Sequence, residues 1–315
     1  ALLKRHPSED FYGIQIAAAH VDQVAKASEL LAQYAKSDYI EINCGCPTES
    51  VFNSGMGSAL MDRAGRMEDL VRTMKSVLPE SYPVLLKMRM GTGVTDRTAH
   101  KLFPRLEGWG VEAVTIHGRT QKQRYTKQAD WDYIKRCVKT TNLPVIGNGD
   151  VYNYQQANRW REDSGATSLM IGRGALIKPW IFKEIKEQQH YDIPSQERLE
   201  IVKDFCSYGL EHWGSDARGV ETTRFFLLNW LSFLYRYIPV GMLHPHEQGE
   251  HARIDLRPPT SYLKCRDEVE QLLSSPNVKD WIKISEIYLG PSPKDFSFTP
   301  KHNANAYAPS AFDMG

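Results

Sequence analysis

Short runs of apolar and β-branched residues recur at roughly equal intervals along the first part of the chain. They cover residues 11–17, 39–45, 83–89, 111–118, 143–150 and 167–174, and most of them end in polar or glycine-rich positions. Stretches of helical period lie between several of them, at residues 25–36, 67–78 and 97–110. Alternating segments of this kind are typical of βαβ units, whose strands pair in parallel. The pattern therefore predicts an α/β protein with a parallel sheet.

Chemically active side chains cluster at the predicted C-terminal ends of these strands. They are Gln15, Asn43, Cys46, Lys87, Arg89, His117, Arg119, Asn148, Asp150 and Arg173. A TIM (β/α)8 barrel distributes functional residues over all its strand ends, whereas a doubly wound sheet gathers them at one switch point. Because every predicted strand contributes here, we predict the barrel. A closed barrel has eight strands, so we expect its first two βα units to lie before this chain, which begins with Ala rather than Met.

The pattern becomes purely helical after about residue 193. Residues 195–214 predict one helix, with Ser195 and Glu197 at its start and Gly214 at its end. The apolar run at 225–243 contains Asn229 and Arg236, which favours a buried helix over a membrane span. We therefore predict a barrel at 1–192 that is incomplete at its N-terminus, a helical domain at 193–290, and an irregular tail at 291–315.

Composition is that of an ordinary soluble globular protein, with 41% hydrophobic and 24% charged residues. The formal net charge of +1 does not indicate a nucleic-acid partner, although it leaves room for a local basic face. The five cysteines are odd in number and irregular in spacing, unlike a secreted disulfide framework. The first residues are polar and contain no signal peptide. We expect a reducing location, the cytoplasm, the nucleus or both.

Two cysteines, Cys44 and Cys46, are separated by one glycine. A metal site is disfavoured because no second cluster of Cys or His follows at ligand spacing, and a disulfide would close too small a ring. Cys44 fits a buried structural thiol. Cys46 lies just past a strand end, between Gly45 and Pro47, where a thiol acts as a nucleophile or as an acid.

The remaining strand-end residues have structural alternatives. Lys87 and Arg89 are two apart on a strand and point to one face, where they meet a ligand or form a solvated strand end. His117 fits either a site or a satisfied core histidine. The segments "GNGD" and "IGRG" fit simple turns, or a phosphate cradle to which Arg173 adds charge.

Five segments taken together, "INCGCP", "LKMRMG", "TIHGRT", "IGNGD" and "IGRGAL", resemble the tRNA-dihydrouridine synthases in sequence and order. The resemblance extends over residues 11–307. It implies a flavin barrel enzyme with a C-terminal helical domain, in which NADPH reduces FMN and the flavin reduces the C5=C6 bond of a tRNA uridine. The later segments "NWLSFLYRYIPVGML" and "DWIKISEIYLGP" further imply position 47 of the tRNA.

The resemblance also implies a role for each strand-end residue. Cys46 corresponds to the acid that protonates C5, while hydride from the flavin reaches C6. The flavin ring and ribityl region would be bound by Gln15, Lys87 and His117. The ribityl-phosphate end would be bound by Asn148, Gly149, Asp150, Gly172 and Arg173. The target uracil, swung out of the tRNA fold, would be contacted by Asn43, Arg89 and Tyr125. No metal is implied within this sequence, although zinc fingers are expected upstream.

The helical domain is expected to hold the tRNA through phosphate contacts. Candidate basic residues are Arg218, Arg224, Arg236, Lys264 and Arg266, with Lys183 and Lys186 on the barrel side. The segment 244–256 reads as an insertion without an assigned role. Two alternatives remain. One is a flavin barrel that reduces a small pyrimidine or an enoate, which would share the flavin motifs but would not need the helical domain. The other is a tRNA-binding paralogue without catalysis, because the family's first two strands and their flavin loop have no counterpart here.

Overall fold

A computed structural model describes residues 3–125, 127–243 and 264–300. The sheet has six strands that pair in parallel and in chain order. The strands are β1 (Gly13–Ile16), β2 (Tyr39–Cys44), β3 (Val84–Arg89), β4 (Ala113–His117), β5 (Val145–Asn148) and β6 (Ser168–Met170). Each predicted strand is therefore confirmed, with shorter bounds than the apolar runs suggested.

Helices follow the strands, as the βαβ pattern predicts. They are α1 (Val21–Tyr34), α2 (Glu49–Asn53), α3 (Ala64–Val77), α4 (Ala99–Trp109), α5 (Trp131–Val138) and α6 (Tyr154–Ser164). The buried residues of α3 and α4 recur every three or four positions, as an amphipathic helix on a sheet requires. A 3-10 helix, Gly57–Asp62, precedes α3. The predicted (β/α) barrel class is confirmed, with six consecutive parallel strands in the described chain.

The strand register places the polar side chains in rows on one face of the sheet, here called the polar face. One row contains Asn43, Lys87 and Thr115, which are Cα partners across β2, β3 and β4. The next row toward the strand ends contains Arg89, His117 and Asn148. Gln15 pairs with Glu41 one row below. Because side chains alternate along a strand, the intervening residues lie on the opposite face.

That opposite face is apolar and buried. Ile40, Ile42 and Cys44 of β2 are each 0% exposed, as are Leu86 and Met88 of β3. Continuous burial on this face explains why the strands read as apolar runs in the sequence. The two faces together account for the mixed character of segments such as "YIEINC", in which Glu41 and Asn43 interrupt the apolar residues.

The later part of the chain is helical. Its helices are α7 (Arg173–Ile177), α8 (Ile181–Glu187), α9 (Ser195–Trp213), α10 (Ala217–Leu234), α11 (Glu268–Leu273) and α12 (Val278–Leu289). The predicted helix at 195–214 is confirmed, and Gly214 follows its last residue with a φ of +98°. Side chains of Asp216, Asp267 and Asn277 cap the starts of α10, α11 and α12 by accepting backbone N–H bonds.

The helical core is formed largely by α9, α10 and α12. Its fully buried members include Val202, Leu227, Leu228 and Ile284, with Trp281 at 1% exposure. The apolar run at 225–243 thus supplies core residues, as predicted, but it is helical only up to Leu234, where α10 ends, and Phe225 and Phe226 at its start are exposed. Within the described residues no helix is both long and apolar enough to span a membrane.

The described chain divides into two compact units. One contains residues 3–151 and 155–172, and the other contains 152–154, 173–243 and 264–300. The structure therefore groups α7 and α8 with the later helices, whereas the sequence placed them before residue 192. The functional boundary at 192 and 193 stays a prediction. The segment 244–256, and the tail from residue 301 onward, lie outside the described residues.

Candidate active site

Cys46 lies in a loop directly beyond the end of β2, and Asn43 holds this loop in place. The Asn43 side-chain oxygen accepts hydrogen bonds from the backbone N–H of Gly45 (3.0 Å) and of Cys46 (2.8 Å). On the other side of the loop, the Cys46 carbonyl accepts from both the N–H (3.1 Å) and the hydroxyl (2.8 Å) of Ser58. The Cys46 thiol is half-buried, with its Sγ 3.3 Å from Thr48 Oγ1. The loop is fixed while the thiol keeps access to solvent.

Cys44 occupies a different environment. It points to the apolar face, is 0% exposed, and burial raises the pKa of its thiol far above the ordinary value. A thiol of that kind does not ionise near neutral pH and is out of reach of a substrate. The geometry is therefore that of a buried structural thiol at Cys44 and of an accessible thiol at Cys46, while the chemical role of Cys46 stays a prediction.

Lys87 stands beside Asn43 on the polar face and is half-buried. Burial lowers the pKa of its ammonium group, and the charge of Glu41 opposes that shift. Among the described residues, the Lys87 Nζ forms no hydrogen bond and no ion pair within 4 Å. A partly desolvated cation without a bonded partner suits an anionic or acceptor group of a ligand.

Arg89 is only 3% exposed and ties two loops together. Its Nε donates to the carbonyl of Gly45 (2.9 Å), and one terminal nitrogen donates to the carbonyls of Thr120 (2.9 Å) and Arg124 (3.3 Å). Burial lowers the pKa of Arg89 to about 10. The half-exposed ring of Tyr125 lies 5.7 Å from the Arg89 guanidinium. Arg89 thus supports both the Cys46 loop and the loop that carries Tyr125.

His117 is buried at the end of β4 and contacts Arg119. An Arg119 terminal nitrogen lies 3.1 Å from His117 Nε2. A guanidinium can only donate, so Nε2 is the acceptor and the ring proton is on Nδ1. The other terminal nitrogen of Arg119 donates to both carboxylate oxygens of Asp150, at 2.9 and 2.7 Å. Asp150 also accepts from the N–H of Ala129 (2.7 Å), so its carboxylate orients the arginine that orients His117.

The end of β5 is shaped by a tight turn. Asn148 donates its side-chain amide to the carbonyl of Met170 (2.7 Å), which links β5 to β6. Gly149 has a φ of +136°, and a Cβ there would lie 2.4 Å from the Ala129 Cβ. Only glycine fits this position. At Gly172 a Cβ would meet no atom within 4 Å, so the space beside its backbone is open.

The structure brings eleven of the twelve predicted site residues into one unit. These are Gln15, Asn43, Cys46, Lys87, Arg89, His117, Tyr125, Asn148, Gly149, Asp150 and Gly172. Arg173 is the first residue of α7 and belongs to the second unit, so its predicted phosphate contact stays a prediction. The individual roles of the other residues also remain predictions.

Three polar residues of this face received no role from the sequence. Glu41 is 4% exposed and accepts from the side chain of Gln15 (2.5 Å), Thr115 is 0% exposed, and Arg119 is 1% exposed at its side chain. The sequence did contain a signal for Glu41 and Thr115. Each is a polar residue within an otherwise buried strand, and burial of such groups requires a partner.

The basic residues proposed to contact RNA differ widely in exposure. Arg224 is 0% and Arg236 is 6% exposed, so neither is a surface contact and the expectation was wrong for both. Arg224 donates to Ser285 Oγ (2.8 Å) and to the Gly290 carbonyl (3.0 Å), which fastens α10 to α12. Arg266 pairs with Glu270 and Asp192. The exposed candidates are Arg218, Lys264, Lys183 and Lys186.

The described residues contain no group of three or more His, Cys, Asp or Glu side chains that could hold a metal ion.

The sequence model of one protein family, described as Dihydrouridine synthase (Dus), matches residues 3–232. This chain belongs to that family. The resemblance seen in the strand-end motifs is thereby confirmed for the larger part of the chain, which includes Cys46, Lys87 and His117.

Curated relatives within this family match almost the whole chain. The chain is 52% identical over 308 residues to a protein of Xenopus tropicalis named tRNA-dihydrouridine(47) synthase [NAD(P)(+)]-like, covering 98% of this chain and 47% of that protein. A protein of the same name from Homo sapiens is 51% identical, with coverage of 98% and 46%. An Arabidopsis thaliana relative is 49% identical over 310 residues, with 98% and 44% covered. The chain therefore spans a little under half the length of these relatives.

A solved structure of morphinone reductase in complex with tetrahydroNAD also matches this chain. The TM-score is 0.41 at 13% identity, covering 56% of this chain and 50% of that one. A similarity of this strength carries no argument about function.

Proposed function

We propose that this chain is the catalytic part of a tRNA-dihydrouridine synthase. It would reduce the C5=C6 bond of a uridine in tRNA, at position 47 as the names of the relatives suggest, with FMN as cofactor and NADPH as reductant. The observation that carries the proposal is the placement of Cys46. Its accessible thiol lies in a fixed loop next to a face that holds Lys87, Arg89 and His117.

The polar face fits a flavin. Among the described residues, the half-buried ammonium group of Lys87 has no hydrogen-bond or ion-pair partner, and Lys87 lies beside Asn43 on this face. A cation in such a position stabilises the negative charge that a reduced flavin ring carries. The open space at the Gly172 backbone suits a close approach by a ligand at the end of β6. The assignment of the flavin as FMN, which carries a single phosphate, rests on the family resemblance and on the glycines that follow β5 and β6.

When bound, FMN would supply the hydride that reaches C6 of the uracil ring. That addition leaves negative charge on the pyrimidine, and Cys46 would donate its thiol proton to C5 to complete the reduction. The thiol is suited to this task because the N–H bonds to Asn43 and the Ser58 contacts fix the backbone that bears it. Arg89 would keep the Cys46 loop and the Tyr125 loop in place around the base, through its hydrogen bonds to the carbonyls of Gly45 and Arg124.

Tyr125 offers a stacking surface for the extruded base. Tyr125 is 43% exposed, and the guanidinium groups of Arg89 and Arg119 lie 5.7 and 5.8 Å from the centre of its ring. A uridine taken out of the tRNA fold loses its stacking partners, and an aromatic ring at the mouth of the site replaces them. We propose that the helical unit contacts the tRNA backbone through its exposed basic residues, and that the protein acts in the cytoplasm, the nucleus or both.

The test is a dihydrouridine assay with the full-length protein. Purified protein is expected to show a flavin absorption band, and to form dihydrouridine at position 47 of unmodified tRNA when NADPH is supplied. Free uridine serves as the matched control and is expected to react far more slowly. Flavin without any reaction on tRNA, but with reduction of free uridine or of an enoate, would favour a small-molecule reductase. Absence of flavin would contradict the proposal and favour a tRNA-binding protein without catalysis.

A further inference from the structure

A continuous chain of hydrogen bonds connects the Cys46 loop with a buried carboxylate. The backbone N–H groups of Gly45 and Cys46 donate to Asn43 Oδ1. Asn43 Nδ2 donates to Gln15 Oε1 (2.7 Å), and Gln15 Nε2 donates to Glu41 Oε2 (2.5 Å). We call this chain the amide relay. It crosses from β2 to β1 and returns to β2.

The direction of every bond in the amide relay is determined by its two ends. Backbone N–H groups can only donate, so the oxygen of Asn43 must face the Cys46 loop. Its NH₂ group then points to Gln15, whose oxygen must accept, and the NH₂ group of Gln15 points to Glu41. An ionised carboxylate can only accept hydrogen bonds, so Glu41 is a suitable acceptor for the last hydrogen bond of the relay. A reversed Asn43 amide would direct NH₂ hydrogens at two backbone N–H groups.

Glu41 itself is held firmly. It is 4% exposed, and its second oxygen lies 3.4 Å from the hydroxyl of the fully buried Thr115. Burial raises the pKa of the Glu41 carboxyl, while the Gln15 hydrogen bond and the charge of Lys87 oppose that rise. Gln15 lies on β1 directly opposite Glu41, and without an acceptor at Glu41 its amide would lose the hydrogen bond that fixes its orientation. Glu41 is thus the fixed end of the relay.

We propose that Glu41 is a positioning residue for the Cys46 loop, acting through Gln15 and Asn43. Glu41 does not touch the thiol, and its role requires a hydrogen-bond acceptor rather than a negative charge. The catalytic consequence rests on the proposed function, in which Cys46 is the proton donor. The positioning itself is a property of the folded chain and is measurable without any substrate.

The experiment is hydrogen–deuterium exchange at single-residue resolution on the full-length protein. In Glu41→Met the acceptor is lost with little change in shape, and the Gly45 and Cys46 amides are expected to exchange about 3–10-fold faster, the effect of losing one modest hydrogen bond. In Glu41→Gln the new amide accepts from Gln15 and donates to Thr115, so exchange is expected to stay within about twofold of wild type. Gln15→Met interrupts the relay at its middle link with a side chain of similar size, and it is expected to behave like Glu41→Met.

The Thr98 amide is the control, because it donates to the Met90 carbonyl (2.7 Å) in another loop of the same unit and has no partner in the relay or in the Cys46 loop. Unchanged exchange at Thr98 together with faster exchange at Gly45 and Cys46 supports the proposal. Equal acceleration at all three amides would indicate general destabilisation and overturn it. Wild-type exchange in Gln15→Met, or failure of Glu41→Gln to restore protection, would also overturn it. None of these outcomes depends on dihydrouridine formation, so a failure here is distinct from a failure of the proposed function.

Discussion

Replacing each of the two neighbouring cysteines by alanine is expected to give opposite results. Cys46→Ala removes the proposed proton donor from an accessible loop, whereas Cys44→Ala removes a buried thiol from the apolar face. We expect Cys46→Ala to lose activity and keep its stability, and Cys44→Ala to lose stability and keep its activity. The pair is well matched, since the two positions are separated only by Gly45 and undergo the same chemical change.

The magnitudes follow from the two environments. A positioned general acid contributes about 10²–10⁴-fold to rate, so dihydrouridine formation by Cys46→Ala should fall by that factor. Its thiol is half-buried with one contact to Thr48, and the change in unfolding free energy should stay within about 0.5 kcal/mol. Cys44 is 0% exposed, and deleting one buried heavy atom costs about 0.5–1.5 kcal/mol, as for the loss of a buried methylene.

Three measurements separate the two variants. Urea unfolding gives the free energies, single-turnover dihydrouridine formation gives the chemical step, and oxidation of NADPH reports the first half-reaction. Cys46→Ala should still bind flavin and oxidise NADPH at the wild-type rate, because Lys87 and His117 are unchanged. Alkylation by iodoacetamide at neutral pH should label Cys46 and leave Cys44 unmodified, since burial raises the pKa of Cys44.

One outcome would refute the assignment directly: an inactive Cys44→Ala protein of normal stability next to an active Cys46→Ala protein. Loss of NADPH oxidation in Cys46→Ala would also count against a role limited to proton donation. If both variants lost activity only in proportion to lost stability, neither thiol would be a proton donor.

Three further predictions concern the cations. Lys87→Ala should weaken FMN binding about 10–100-fold in a fluorescence titration, which is the cost of losing a hydrogen bond to a charged group, and should slow flavin reduction by NADPH. Lys122→Ala, at an exposed position, is the control and should do neither. Unchanged flavin content in Lys87→Ala would exclude this role. Arg224→Ala should lower the unfolding free energy by about 1–3 kcal/mol in urea, because Ser285 Oγ and the Gly290 carbonyl lose their charged donor in a buried place. Arg218→Ala on the exposed side of the same helix should leave stability within about 0.5 kcal/mol and reduce the salt dependence of tRNA binding by roughly 0.7–0.9 log unit per decade. Equal stability of the two arginine variants would contradict the burial of Arg224.

Much of the barrel was predictable because its determinants are local in the sequence. Apolar runs with polar ends locate each strand, and the helical period between them gives the parallel order. The strand ends of a parallel sheet meet at one edge, so Asn43, Lys87 and His117 could be assigned to one site before any coordinates were known. The sixth strand was predicted too long, at 167–174 instead of Ser168–Met170, because "IGRG" begins the short helix α7 rather than extending the strand.

The uses of individual charges were not predictable, because each depends on packing between distant segments. Arg224 and Arg218 lie on one helix, and only the approach of α12 determines that Arg224 is buried against Ser285 and Gly290. Glu41 gained its role from β1, which supplies Gln15 as the link to Asn43. The sequence determined which residue types stand at the strand ends and in what order. Register and burial decided which of them stay accessible to a ligand and which hold the others in place, since a hydrogen bond depends on distances that only the folded chain defines.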